Sequence, residues 1–277
     1  IFLGIRLSFA DFIKFGSIAI PLIIICIVGV LILIKLLIKK VPISSKMSYL
    51  IAIGTSVCGA TAIVATAPVI NAKKSEVAYA IANITLFGVI AMLLYPYFAE
   101  WYFDNQSLNV GLFLGTSIHE TSQVAAAGLI YDQQFNSPET LNVATVTKLI
   151  RNTFLVILIP LFAFLYNRGE FKGQKYSIFN IFPYFVLGFI GMIIVRNLGD
   201  QLYPIESNNH EIWVNLIEYL KILATVFLTM AMAAVGISIN LSELKSMGYK
   251  PFVVGLIAAV TVGIISLIYI ETLQKFI

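Results

Sequence analysis

Residues 18–34 carry no charged side chain and no polar group beyond the thiol of Cys26. An apolar run of about 18 residues or more reads as a transmembrane helix. In lipid every backbone N–H and C=O must be satisfied internally, so such a run belongs to a helix or a closed barrel. Spanning strands would alternate apolar and polar side chains, and this stretch does not. Composition extends the argument to the whole chain. Of 277 residues, 59% are hydrophobic and 12% charged, against about 25% charged in a typical soluble domain. The expected fold class is therefore all-α, a polytopic transmembrane helical bundle. The net charge of +4 is scattered among loops, which gives no basis for nucleic acid as a partner. Cys26 and Cys58 both fall in apolar segments and form neither a disulfide framework nor a metal pattern.

After an opening piece at 1–7 and an amphipathic stretch to residue 15, the pattern predicts eight long helices. They cover roughly 17–38, 47–70, 76–103, 108–131, 140–167, 178–198, 212–239 and 251–274. The loops are short, and the whole of 1–277 reads as one membrane domain. If every segment crosses, one face holds Lys35, Lys39, Lys40, Lys46, Arg168, Lys172, Lys175, Lys245 and Lys250. The other holds Lys14, Lys73, Lys74 and Lys275. The richer face should be cytoplasmic, with the C-terminus outside. A re-entrant segment would reverse part of this scheme.

Two internal echoes point to repeats. Residues 3–11 resemble residues 235–243, and Gly54-Thr55-Ser56 returns as Gly115-Thr116-Ser117. With seven crossings between its copies, the first echo implies an inverted repeat, as in many secondary transporters. The second, two segments apart, implies parallel copies unless one segment fails to cross.

Three segments carry candidate chemistry. Gly54, Thr55, Ser56, Cys58, Gly59 and Thr61 weaken a helix at mid-span. If the chain unwinds there, a half-helix N-terminus offers free N–H groups to an anion; tight packing of small residues is the alternative. Thr116, His119, Glu120 and Gln123 fall at i, i+3, i+4 and i+7, which on a continuous helix form one polar face. Such a stripe should line the bundle interior or a wet cavity, either as a functional site or as a buried network that fixes packing. The HExxH pattern of zinc proteases is broken, because Gln123 stands where the second histidine must be. No metal, cofactor or catalytic residue is expected. Lys148 and Arg151, at i and i+3, point one way. They could neutralise Glu120, bind an anionic substrate, or snorkel to the interface.

The stretches Leu3-Gly4-Ile5-Arg6-Leu7-Ser8, Cys58-Gly59-Ala60-Thr61-Ala62-Ile63, Ala67-Pro68-Val69-Ile70-Asn71-Ala72-Lys73 and Gly115-Thr116-Ser117-Ile118-His119-Glu120, with Lys148-Leu149-x-Arg151, resemble the YeiH family of bacterial inner-membrane proteins. That family is commonly labelled as sulfate exporters, and its members carry further helices ahead of the Leu3-Gly4 motif, which the resemblance implies are missing here. It is distantly similar to bile-acid/sodium symporters and NhaA-like transporters. The resemblance implies broken helices that cross at the membrane centre, with 47–70 as the candidate. The functional expectation is a secondary transporter, an exporter of a small anion such as sulfate, working by alternating access. The twelve residues from Gly54 to Arg151 named above would form the substrate site. Expected partners are an inorganic or organic anion, the lipid bilayer, a coupling proton or sodium ion, and a second copy as a homodimer option. The rivals are a proton- or sodium-coupled cation antiporter centred on Glu120, and a non-transport membrane protein.

Overall fold

The computed structural model describes residues 2–6, 8–170, 185–238, 242 and 248–275. Every regular element among them is a helix. After a 3-10 turn at Phe2–Arg6 come α1 (Phe9–Leu37), α2 (Ser45–Ser56), α3 (Ala60–Thr66), α4 (Lys74–Phe103), α5 (Ser107–Ser117) and α6 (Thr121–Phe135). Then follow α7 (Pro138–Thr153), α8 (Leu155–Glu170), α9 (Phe185–Leu202), α10 (His210–Ser238) and α11 (Lys250–Gln274). Among the described residues, four stretches are long and apolar enough to cross a membrane: Ile13–Leu37, Lys74–Phe103, Pro138–Phe162 and Lys250–Leu273. The start of the expected helix 178–198 and much of the 235–243 copy of the first echo lie outside the described residues.

Two of the expected crossing helices are instead hairpins. The segment 47–70 breaks at 57–59. Its two ends are tied together: Ser44 Oγ donates to Glu76 Oε1 at 2.5 Å and Lys46 Nζ to the carbonyl of Asn71 at 2.8 Å. The legs pack on each other, since a β-carbon placed on Gly54 would lie 2.8 Å from Ile63 Cδ1. The segment 108–131 breaks at 118–120. Ser107, at the start of α5, meets Ser137, just past α6, at 2.8 Å between hydroxyls. The implied crossing at 47–70 is thus corrected: a chain whose two ends share hydrogen bonds has returned to where it began.

Between the hairpins runs α4, 30 residues long and so about 45 Å. It carries the chain from the end holding Ser45 and Lys74 to the end holding Ser107. α11 lies beside it in the same direction. Tyr79 and Asn83 donate to the carbonyls of Gly248 and Pro251, both at 2.8 Å, and Tyr102 donates to Glu271 at 3.0 Å at the far end. The second echo gains a structural meaning. A shift of 61 residues carries Gly54 to Gly115, Ser56 at the end of α2 to Ser117 at the end of α5, and Ala60 at the start of α3 to Thr121 at the start of α6.

One large core joins α1 to α8 with α11. A small second cluster of Ile5, Trp213 and Ile217 gathers the 3-10 turn with α9 and α10. There Asp200 accepts from Arg196 Nε at 2.7 Å and Trp213 Nε1 at 2.9 Å.

The return of α3 also corrects the loop assignment. Lys73 and Lys74 sit at the same end as Lys39, Lys40, Lys46 and Lys250, whereas Lys14 pairs with Glu139 at the other end at 3.4 Å. In membrane vesicles, a cysteine placed at Ser45 and one placed at Lys74 should react with an impermeant thiol reagent from one face. Cysteines at Gln106 and Glu139 should react from the opposite face. Labelling of positions 45 and 74 from opposite faces would show that α2 and α3 cross.

Candidate functional site

The two hairpin tips meet, and α7 holds them. α2 and α5 end in Gly-Thr-Ser, so each leaves its last carbonyls without helical partners. Beyond α2, Gly59 adopts φ 67° and ψ −125°, a region open essentially to glycine. Beyond α5, Ile118 and Glu120 are extended, with ψ of 141° and 143°. Gly111 and Gly115 let α7 approach α5 closely. β-Carbons there would lie 2.5 Å from Val143 Cβ and 2.7 Å from the Ala144 carbonyl oxygen. This brings Lys148 and Arg151, both fully buried, against the exposed carbonyls.

The two cations divide those carbonyls between the hairpins. Arg151 Nε donates to Ser56 O at 2.8 Å and Nη2 to Thr55 O; Nη1 donates to Thr116 O at 2.5 Å and to Ile118 O at 3.4 Å. Lys148 Nζ donates to Val57 O at 2.7 Å, Ile118 O at 3.0 Å and His119 O. The shift of 61 residues relates Thr55 to Thr116 and Val57 to Ile118, so each cation grips corresponding atoms of both tips. Positive charge is thereby placed at two helix C-termini, where the macrodipole favours it.

Glu120 does the complementary task at the N-termini. Its Oε1 accepts from the Ala60 amide, the first of α3, at 2.5 Å. Its carboxylate also accepts from the Gln123 amide in the first turn of α6, and Gln123 Oε1 takes the Glu120 amide at 3.3 Å. Glu120 and Gln123 form a capping box at the start of α6, and the Ala60 bond joins this tip to the start of the other hairpin's second leg. Gln123 Nε2 reaches on to the Thr85 carbonyl at 3.1 Å.

The twelve expected site residues therefore divide. Thr55, Ser56, Cys58, Gly59, His119, Glu120, Lys148 and Arg151 gather where the tips meet, and Gly54 lies one turn inside α2 against Ile84. The single polar face from Thr116 to Gln123 does not form, because helical spacing stops at Ser117. Thr116 instead turns back, donating to Leu112 O at 2.7 Å and meeting Ser266 Oγ of α11 at 2.7 Å. Thr61 is exposed. Neither Lys148 nor Arg151 snorkels. Sequence reasoning passed over Ser117, Thr147 and Ser266, all buried. Ser117 was signalled by the Gly-Thr-Ser echo; Thr147 and Ser266 carried no signal beyond a hydroxyl in an apolar helix.

The profile of a family described as "Conserved hypothetical protein 698" matches residues 1–255. UPF0324 membrane protein FN0533 of Fusobacterium nucleatum is 34% identical over 273 residues, covering 96% of this chain and 78% of the relative. This chain belongs to the UPF0324 membrane-protein family. UPF0324 membrane protein SAG1125 of Streptococcus agalactiae serotype V is 35% identical over 269 residues, covering 96% and 76%. A Clostridium tetani member is 31% identical over 289 residues, covering 99% and 79%. The family expected from the YeiH-like motifs is thus the one found. No solved structure matches.

Two substitutions test the grip. A side chain at Gly59 would meet Glu120 Oε1 at 2.1 Å in a disallowed backbone region, so Gly59→Ala should lower stability by about 1–3 kcal/mol. Arg151→Lys keeps the charge but cannot span both tips, and should cost about 2–3 kcal/mol from lost charged hydrogen bonds. Thermal melting of the detergent-purified protein measures both; unchanged melting for Arg151→Lys would contradict the bridging role.

Proposed function

We propose that this protein is a secondary transporter of a small anion in the bacterial inner membrane, working by alternating access. The observation that carries the reading is the meeting of two hairpin tips around three buried ionisable side chains, Glu120, Lys148 and Arg151. Irregular backbone at membrane depth is tolerated where it is enclosed by protein or lines a water-filled cavity, and transporters build substrate sites from it. Buried ionisable groups inside a bilayer carry a cost that function commonly explains.

In this reading the two hairpins form an inverted repeat. α2 and α3 enter from the lysine-rich end, cytoplasmic by the positive-inside rule, and α5 and α6 enter from the other. The correspondence at 61 residues, with breaks at matching positions, supports it. The helix α4 between them reverses the direction of the second copy. A site shared by two inverted tips is open to either face through small movements of one hairpin against the other. The anion would sit among the tip residues, with Gly54, Thr55, Ser56, Cys58, Gly59, Thr116, His119, Glu120 and Gln123 forming or supporting its surroundings and Thr61 on the outer side of α3. The cation-antiporter alternative is weakened because Glu120 already accepts two backbone N–H groups, which leaves little of its carboxylate for a metal ion.

Reconstituted into proteoliposomes, the purified chain should carry at least one small anion well above the leak of protein-free vesicles. Folded protein that neither transports nor binds any member of a broad anion panel would contradict the proposal.

A further inference from the structure

Three of the four apolar spans reach a common level at the lysine-rich end. The span Ile13–Leu37 ends there, and Lys74–Phe103 and Lys250–Leu273 begin there. Where spanning helices turn polar, a bilayer places its headgroups. A cleft of about 220 Å³ opens at this level, far more than the ~10–15 Å³ that one water needs. Pro42 and Ser44, just ahead of α2, supply one wall with Met47 of its first turn; Glu76 comes from the first turn of α4, and Lys250 and Pro251 begin α11. The cleft thus lies between the base of the first hairpin and α11.

Its wall carries an acceptor and a donor. Glu76 is buried, at 6% exposure. Both of its oxygens accept, Oε1 from Ser44 Oγ at 2.5 Å and Oε2 from the Lys73 amide at 2.9 Å. A carboxylate offers about four lone-pair sites, so two bonds leave room for a further donor. Lys250 is exposed and finds no partner among the described residues. The rest of the wall is apolar. Beside it on α11, Tyr249 is 73% exposed, and Phe252 and Val253 are exposed as well. Exposed aromatic and aliphatic side chains at the end of a span suit the boundary between headgroups and acyl chains, not the mouth of a site for a water-soluble ligand.

We propose that this cleft seats the headgroup of a phosphatidylethanolamine lipid, with its phosphate taking hydrogen bonds from Lys250 and its ammonium donating to Glu76. Basic pockets between spanning helices recognise lipid headgroups; the carboxylate in the same cleft adds the demand for an N–H donor. A lipid seated there bridges the base of the first hairpin to α11. The inference is independent of the anion-transport reading.

The test uses the purified full chain in a non-ionic detergent. Native mass spectrometry follows lipid binding during titration with short-chain phosphatidylethanolamine, phosphatidylcholine or phosphatidylglycerol, or with free phosphoethanolamine. Phosphatidylethanolamine should bind about tenfold more tightly than phosphatidylcholine, whose quaternary ammonium has no N–H, and than phosphatidylglycerol, which has no cation. Lys250→Ala should weaken it about tenfold, whereas Lys74→Ala, at the same end but outside the wall of the cleft, should leave it unchanged. Glu76→Gln keeps an acceptor for Ser44 and should bring phosphatidylethanolamine down to the level of phosphatidylcholine. If that variant fails to fold, Lys250→Ala decides alone. Equal binding of phosphatidylethanolamine with either other lipid, or an unchanged affinity in Lys250→Ala, would overturn the proposal. So would free phosphoethanolamine binding as tightly as the lipid, which would make the ligand a soluble one.

Discussion

The grip of Arg151 and Lys148 on the carbonyls of both hairpin tips is the interaction on which the rest depends. Four half-helices end or begin near one place, and each contributes orphan backbone groups. In water those groups would be solvated. In a lipid-facing protein they must find partners within the chain, at several kcal/mol for each failure. Two long cations making seven hydrogen bonds to six carbonyls at the tips, and one carboxylate accepting from the N-terminal amides, meet that demand.

This division of labour ties geometry to charge. Because each cation reaches corresponding atoms of both hairpins, α7 acts as a common support for the two tips. Movement of one hairpin would loosen bonds to the same side chains that hold the other. The close approach at Gly111 and Gly115 is therefore part of the site, since it sets how far Lys148 and Arg151 reach. The far ends are held by separate bonds, Ser44 to Glu76 for one hairpin and Ser107 to Ser137 for the other.

Much of this was legible in the sequence, and what was hidden has a physical cause. Apolar runs such as 18–34 identify helices in lipid, and α1, α4 and α11 follow them closely. The breaks were half legible. Gly54, Gly59 and the hydroxyls between them marked a weak helix, but the break at 118–120 looked like a polar stripe, because spacing of three and four is the same whether or not a helix is continuous. The return of each hairpin was not legible: periodicity reports which face is buried and is silent about direction. The bond from Lys46 to the Asn71 carbonyl decides direction, and it joins residues with no sequence signature. Once one segment fails to cross, the two Gly-Thr-Ser stretches lie on hairpins whose bases are at opposite ends of α4, and Lys73 and Lys74 change ends. Lys148 and Arg151 stood out as charges inside a span, with snorkelling left open as the alternative, and their backbone partners could not be read, since carbonyls carry no sequence identity.

The central claim is that two opposed hairpin tips meet at mid-membrane on the side chains of α7. A cryo-electron microscopy map of the protein in lipid nanodiscs tests it most directly. The account predicts interrupted helices at 57–59 and 118–120, both tips near the bilayer midplane, and the Arg151 guanidinium between the carbonyls of Thr55 and Thr116. Continuous helices crossing through either break, or an Arg151 side chain directed to the membrane surface, would contradict it.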